Sequence, residues 1–393
     1  MTRRISLDSR RVDYPARVEN NDGTASDDTM SEPISNRGAP RVLFVGKYSL
    51  EDSAGNAVAV RRMMDAFAGP NGQPAGTPPG ATSRYVQTGR SAGEAAFALF
   101  GFVPTVVHAL HAGEAAALGA ELAEATGVPL VVTVTGTDLN GSGAGAVDPG
   151  VRRAALARLE PAAAVIVLTE HQRALLADGL PGKRAVRIPQ SVVLGDDEFA
   201  LREALEHVAG PELASKRIAL LAGGLRPVKG QLVAIDAFER GAEQLGDWLL
   251  VLAGPVLDES YAAQVRERAR ALANVVYIGE IPHGAMGTAM GQCDVLLNSS
   301  ESEGEPQVIL EAQCASLPVV ARRVVGNIAL VEDGVTGWLF DGGSDLAALL
   351  HDLAADPEKL SSVARSARAA RLDRLDVAAE ATAHLDLYRA VSE

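Results

Sequence analysis

Glu303 and Glu311 stand eight residues apart in DVLLNSSESEGEPQVILEAQ, with Gly304 and Pro306 between them. Paired carboxylates can run general acid and base chemistry, as in glycoside hydrolysis. They can equally accept hydrogen bonds from the hydroxyls of a bound sugar and from the vicinal diol of a ribose. The surrounding pattern separates these readings. An apolar strand (Asp294 to Asn298), a polar turn (Ser299 to Glu305) and a helix opening at Pro306 leave the amides of Gln307 and Val308 free at a helix N-terminus. Such amides attract phosphate, although Pro306 itself has none to donate. Upstream, GGLRPVKG sets Gly224, Arg226 and Lys229 at another strand-to-helix junction. A forked guanidinium and a mobile ammonium suit a diphosphate. The two glutamates therefore read as clamps beside a phosphate site, Glu303 on a sugar and Glu311 on a ribose. Backbone groups at Glu280 and Ile281, in YIGEIPH, can pair with a nucleobase edge, and His283 reads as a surface loop residue.

The first half of the chain offers a second polar set. Gly46 and Lys47 end an apolar run, and Gly55 and Asn56 open a helix where their amides can meet phosphate or sugar hydroxyls. HALH ends in His111, and TVTGTD supplies Thr135, Thr137 and Asp138. His111 and Asp138 can bind hydroxyls or take an acceptor proton, whereas the threonines can only hydrogen-bond. His108 lies inside its apolar run and reads as a core residue.

These residues need strand ends to hold them, and the chain supplies strands in two sets. Val42 to Val45, Tyr85 to Gln87, Thr105 to His108, Leu130 to Val134, Val165 to Leu168 and Ala185 to Ile188 form the first. Ile218 to Ala222, Leu249 to Ala253, Val275 to Ile278, Val295 to Asn298, Val319 to Ala321 and Trp338 to Phe340 form the second. Near-continuous apolar strands alternating with helices indicate parallel sheets covered on both faces. The reading is α/β, with two Rossmann-like doubly wound domains facing a central cleft. The expected divisions are a disordered tail over 1–40, a first domain over 41–195, a linker over 196–215, a second domain over 216–372 and a C-terminal helix over 373–393 that crosses back to the first domain.

Bulk composition narrows the partners. A net charge of −14 argues against general electrostatic binding to nucleic acid or an anionic membrane, so a phosphate site must be a local pocket. No apolar run approaches the roughly 18 residues of a membrane span, so no stable membrane insertion is expected. Cys293 and Cys314 are the only cysteines and read as buried thiols in a reducing, cytoplasmic compartment. Neither first strand is followed by G-x-G-x-x-G, which disfavours a nicotinamide-dependent oxidoreductase.

GGLRPVKG, the Glu-x7-Glu pair, LPVVA and EDGVTGWLF, from Glu332 to Phe340, together resemble glycosyltransferase family 4, retaining enzymes of GT-B fold. The resemblance covers residue 41 to the C-terminus. It implies transfer of a sugar from a nucleotide-diphosphate donor, UDP-sugar before GDP-sugar, to a small-molecule acceptor, without metal or other cofactor. By this likeness Arg226 and Lys229 hold the diphosphate, Glu303 the donor sugar, Gln307 and Val308 the distal phosphate, and Glu311 the ribose. Gly55, Asn56, Gly224, Glu280, Ile281, Gly304, Glu305 and Pro306 complete the donor side, and His111, Thr135, Thr137 and Asp138 the acceptor side. The expected catalytic set is Arg226, Lys229, Glu303, Asp138 and His111. The family commonly has His where this chain has Thr135, and Asn-Gly where it has Gln190 and Ser191. With ALH, TGTDL, LRPVK and the Gly326-Asn327 pair, these variants resemble a subgroup that includes bacterial selenosugar synthases and a vertebrate glycosyltransferase 1 domain-containing protein, which is compatible with an unusual acceptor, a natural product or a sulfur or selenium nucleophile. A nucleotide-sugar epimerase or a non-catalytic sugar-nucleotide binder is the alternative, and a homodimer is compatible with the pattern.

Overall fold

A computed structural model of the chain describes residues 39–51, 55–68, 81–89, 101–140 and 149–393, without the side chains of Thr137 and Asn140. The expected tail therefore lies outside the described residues except at its last two positions. The compact unit begins at Ala39.

Two six-stranded parallel sheets make up the unit. The first contains β1 (Arg41–Gly46), β2 (Thr82–Gln87), β3 (Val106–Leu110), β4 (Leu130–Thr133), β5 (Ala164–Val167) and β6 (Ala185–Arg187), in the order β2-β1-β3-β4-β5-β6. The second contains β7 (Arg217–Ala222), β8 (Trp248–Ala253), β9 (Val275–Tyr277), β10 (Val295–Asn298), β11 (Val319–Arg322) and β12 (Trp338–Phe340), in the order β12-β11-β10-β7-β8-β9. Strands that read as unbroken apolar runs are buried end to end: β3, β4, β5, β8 and β10 have no exposed position. Helices on both faces exclude water from both sides of each sheet, so period-two alternation is absent.

Strand order reverses direction between β1 and β3 in the first sheet and between β7 and β10 in the second. At such a switch point the flanking connections leave toward opposite faces and open a crevice beyond the strand ends, which is where open sheets bind ligands. Gly55, His111, Arg226, Lys229, Glu303 and Glu311, singled out above for chemistry, lie beyond the ends of these four strands.

Five helices bear on the site: α1 (Gly55–Ala68), α2 (Glu114–Thr126), α3 (Gln231–Arg240), α4 (Gln307–Cys314) and α5 (Val377–Ser392). The stretch 196–215 holds the helices Leu201–Ala209 and Pro211–Ala214. Its helix Leu201–Ala209 inserts Leu201 and Leu205 into the core of the second sheet, because its two leucines share one face at i, i+4.

Helix α5 packs on the first sheet. Leu385 and Tyr388 join Phe44, Phe67 and Ile166 in one buried cluster, and each buried aromatic or leucine contributes about 1.5–3 kcal/mol. Inside it, His108 Nδ1 lies 2.7 Å from the Tyr388 hydroxyl and Nε2 lies 2.7 Å from Thr133 Oγ1. Burial, with His384 nearby, holds His108 well below the usual imidazole range. It is a neutral core histidine with both ring nitrogens satisfied. A second buried tie joins α1 to α5: Arg62 donates from Nε and Nη2 to Glu380, each at 3.0 Å, with both side chains 4% exposed.

Candidate active site

A cavity of about 430 Å³ lies at the carboxyl ends of both sheets, with walls from both halves. The donor-side expectations converge on it. Gly55, Asn56, Gly224, Arg226, Lys229, Glu280, Ile281, Glu303, Gly304, Glu305, Pro306, Gln307, Val308 and Glu311 all line it, as do His111 and Thr135 from the other wall.

The turn after β7 sets the cations. Arg226 is extended (φ −160°) and precedes a 3-10 turn, Pro227–Lys229, which ends at Gly230 in the left-handed region (φ 65°). Gly230 packs against the Ser299 carbonyl, where a side chain would collide. This contact holds the Arg226–Lys229 turn against the end of β10. The Arg226 Nε is buried without a hydrogen-bond partner among the described residues, a donor that a phosphate oxygen would satisfy.

Lys229 Nζ reaches Glu303 Oε1 at 2.7 Å. Ser300 Oγ donates to the same oxygen at 2.7 Å, and Asn298 Nδ2 lies 3.5 Å away. Burial works to raise the Glu303 carboxyl, but the Lys229 charge and these hydrogen bonds outweigh it and hold it below the ordinary carboxylate value. Glu303 is therefore an anion in a preset position, so it accepts hydrogen bonds and is poorly suited to donate a proton.

Glu311 differs. It is fully enclosed on α4, and burial pushes its carboxyl up to about 8, against a weaker lowering by Arg62. His283 Nδ1 lies 3.9 Å from Oε1, within ion-pair range. Burial, then Arg61 and Arg62, lower His283, however. Around pH 7 both groups are neutral, so the contact is not an ion pair. His283 also lines the cavity rather than the outer surface. Two glutamates eight residues apart thus hold opposite protonation states, because one has a lysine and the other faces an arginine already engaged by Glu380.

Pro306 is extended (ψ 107°) and caps α4, which begins at Gln307. The first helical position is one residue later than expected, and the free amides remain those of Gln307 and Val308. Glu305 borders the cavity, but its carboxylate is 1% exposed and engaged by Arg374 Nη2 at 2.9 Å. Its carboxylate is therefore committed to Arg374 and the Gln190 N–H rather than turned to the cavity.

On the opposing wall, His111 follows β3 with φ 86°, a strained value for a side-chain-bearing residue. Lys47, Tyr48 and Glu114 join it there; local sequence marks only Lys47, at a strand end, and carries no signal for the other two. Asp138 does not reach this wall. Its buried carboxylate accepts from the N–H groups of Ala112, Thr135, Gly136 and Leu139 at 2.8–3.2 Å. An acidic residue in the first turn of the short helix Thr137–Asn140 serves as a local cap, and with its oxygens engaged it has no role in accepting a proton from a ligand. The Thr137 side chain lies outside the described residues. The loop that Asp138 ties down meets the donor loop directly: a side chain on Gly304 would strike the Thr135 carbonyl and Gly136 Cα.

Residues 206–370 match the family model for glycosyl transferases group 1. This segment, less than half of the chain, is similar to that family. Arg226, Lys229, Glu303 and Glu311 all fall within the group 1 region. The chain is 30% identical over 214 residues to glycosyltransferase 1 domain-containing protein 1 of Xenopus tropicalis, a match spanning 53% of this chain and 62% of that protein. It is 24% identical over 150 residues to the alpha-monoglucosyldiacylglycerol synthase of Acholeplasma laidlawii, 38% of each chain. These matches span less than two thirds of either curated relative. Among solved structures, Anabaena HepE in complex with UDP and glucose superposes with a TM-score of 0.71 at 19% identity, over 89% of this chain and 99% of that one. Sucrose-phosphate synthase from Thermosynechococcus elongatus gives 0.69 at 19% identity, over 89% and 98%. At this identity the likeness is one of fold, and it extends across both halves: the chain has the GT-B architecture.

Proposed function

We propose that the protein is a retaining, metal-independent glycosyltransferase that moves a sugar from a nucleotide-diphosphate donor, UDP-sugar before GDP-sugar, to a small-molecule acceptor. The observation that carries the reading is the meeting, in one cavity, of an Arg226 whose Nε has no partner among the described residues, Lys229 paired with an ionised Glu303, and the N-terminus of α4. UDP and glucose together in the HepE complex favour the uridine nucleotide.

In this reading Arg226, Lys229 and the Gln307 and Val308 amides bind the diphosphate and take up the charge that develops on it as the sugar departs. Glu303 orients sugar hydroxyls, and Glu311 accepts from the ribose diol. The acceptor enters on the face the nucleotide leaves, which gives retention, and a leaving phosphate oxygen takes its proton. Thr135 offers no base on that wall, which suits an acceptor that ionises easily, such as a thiol or selenol. The two cysteines are raised by burial, Cys293 to about 12 and Cys314 to about 11, which fits thiols kept inert in a reducing cytoplasm.

Incubation with UDP-glucose, UDP-N-acetylglucosamine and GDP-mannose, with and without thiol acceptors, should release nucleotide and give a product of unchanged anomeric configuration by NMR. Tight UDP binding without release would mark a sugar-nucleotide binder, and an altered free donor would mark an epimerase. An inverted product would overturn the retaining mechanism.

A further inference from the structure

The chain crosses between its halves twice, after β6 at 188–192 and again at 372–376 before α5. At this point a closed ring of hydrogen bonds joins both crossings to the donor loop. Arg374 donates from Nη2 to Glu305 Oε1 at 2.9 Å and from Nη1 to the Gln190 carbonyl at 2.8 Å. The Gln190 N–H donates to Glu305 Oε2 at 3.3 Å, and the Val192 N–H donates to the Arg374 carbonyl at 2.6 Å. Glu305 is 1% and Arg374 10% exposed in its side chain. Next along each segment, Gln307 Nε2 donates to the Ser191 carbonyl at 2.9 Å, and the Ser191 N–H donates to Glu380, the partner of Arg62 on α1.

The family resemblance implies a donor-side place for Glu305. The ring gives its carboxylate a different task. Gly304, Pro306 and Gln190 line the cavity, so the ring lies immediately behind the loop that carries Glu303. A buried carboxylate with an arginine fork and an amide is directional and stiff, and removing either charge strands the other. Its position at both crossings, where any change in the angle between the halves must be absorbed, links the donor loop to the aperture of the cleft.

We propose that Glu305 is a positioning residue: with Arg374 it pins both interdomain crossings to the donor loop and so fixes the alignment of the two cavity walls for transfer. The proposal rests on the glycosyltransferase reading only for its kinetic consequence. Glu305→Gln keeps the shape and an acceptor oxygen but removes the charge. The expected result is a UDP Kd within about threefold of wild type by calorimetry, donor KM likewise, and kcat for UDP release from UDP-glucose lowered roughly tenfold or more. Glu305→Gln/Arg374→Gln, which leaves no stranded charge, should recover kcat and thermal stability relative to Arg374→Gln alone. Hydrogen exchange provides a readout independent of any nucleotide. Peptides covering 188–194 and 371–377 should exchange faster in Glu305→Gln and in Arg374→Gln, while a peptide covering β10 should not. Unchanged exchange at both crossings would overturn the proposal. So would a loss of UDP affinity as large as the loss of kcat, which would make Glu305 a direct ligand. A fall in thermal stability with kcat unchanged would reduce the ring to a structural tie. Failure of the wild-type protein to bind or release UDP or GDP from any of the donors above would instead reject the glycosyltransferase reading, and the exchange comparison would still decide the ring.

Discussion

Glu311 offers the sharpest test, because burial fixes both a sign and a size. Its carboxyl stands at about 8 in the folded chain against 4.5 for the free group. Within that window the folded state keeps a proton that the unfolded state has released. The stability contributed by the proton is complete below about pH 4.5 and is lost as the pH rises to about 8, beyond which both states are ionised. One pH unit inside the window corresponds to about 1.4 kcal/mol, so the loss is about 3 kcal/mol by pH 7 and about 4–5 kcal/mol at the plateau, as an order of magnitude. Glu311→Gln retains the shape without a titrating proton. Urea unfolding of both proteins from about pH 5 to about pH 9 should show the variant gaining on wild type by about 1.4 kcal/mol per unit and then running parallel. Curves parallel throughout would refute a buried, protonated Glu311. Ligand binding adds the opposite sign. If the ionised form accepts from a ribose diol, binding must expel the proton below pH 8. Uridine, which has no phosphate to titrate, should then bind wild type up to roughly tenfold tighter per pH unit between about pH 6 and pH 8. Glu311→Gln should bind it weakly and without that slope; an equal affinity would remove the residue from the ribose site.

Three further perturbations test the rest of the site. Arg226→Ala should weaken UDP by roughly ten- to a hundredfold, the loss of a charge-assisted hydrogen bond, while uridine changes little; equal losses in calorimetry would exclude a phosphate role. Asp138→Ala leaves four amides without their shared acceptor and should cost about 2–4 kcal/mol of stability, with kcat restored when assayed well below its melting temperature; a kcat loss without destabilisation would return Asp138 to the chemistry. Gly304→Ala should lower melting temperature, since its methyl group would meet the Thr135 carbonyl at a cost of about 1–3 kcal/mol, and calorimetry showing no change would mean that the two loops do not touch.

The strand sets were legible because both faces of each sheet are covered, which writes burial into the sequence as unbroken runs such as LLVLA and VLLN. The convergence of Gly224, Arg226, Lys229 and Glu311 on one cavity was legible for a related reason. Glycine, a cation pair and an acid on a fresh helix are constrained locally, by the turn that bears them. What local sequence does not carry is which partner a charge meets. Glu305 and Glu303 sit two positions apart in one acidic loop, and only the fold sends one to Lys229 and the other to Arg374 at a distant crossing. Asp138 shows the same ambiguity at short range: an aspartate behind TVTG can serve a ligand or its own backbone, and the turn geometry decides for the backbone.

That division bears on the chemistry. With the Asp138 carboxylate engaged by its own backbone, Lys47, Tyr48, His111 and Glu114 are the titratable groups of the first-half wall among the described residues. Opposite them, Glu303 is held as an anion by Lys229 and Glu311 is held as an acid by burial. A general base is therefore not supplied by the glutamate pair that first drew attention: one member is pinned beside the cation that neutralises it, and the other already carries a proton. The pair's asymmetry is useful in a different way. On the proposed function, a permanently ionised acceptor suits sugar hydroxyls that must be oriented before reaction, whereas a carboxyl that ionises only when a diol replaces its proton ties nucleotide binding to proton release, so the two ends of one donor would be gripped by the same side chain type under opposite electrostatic control.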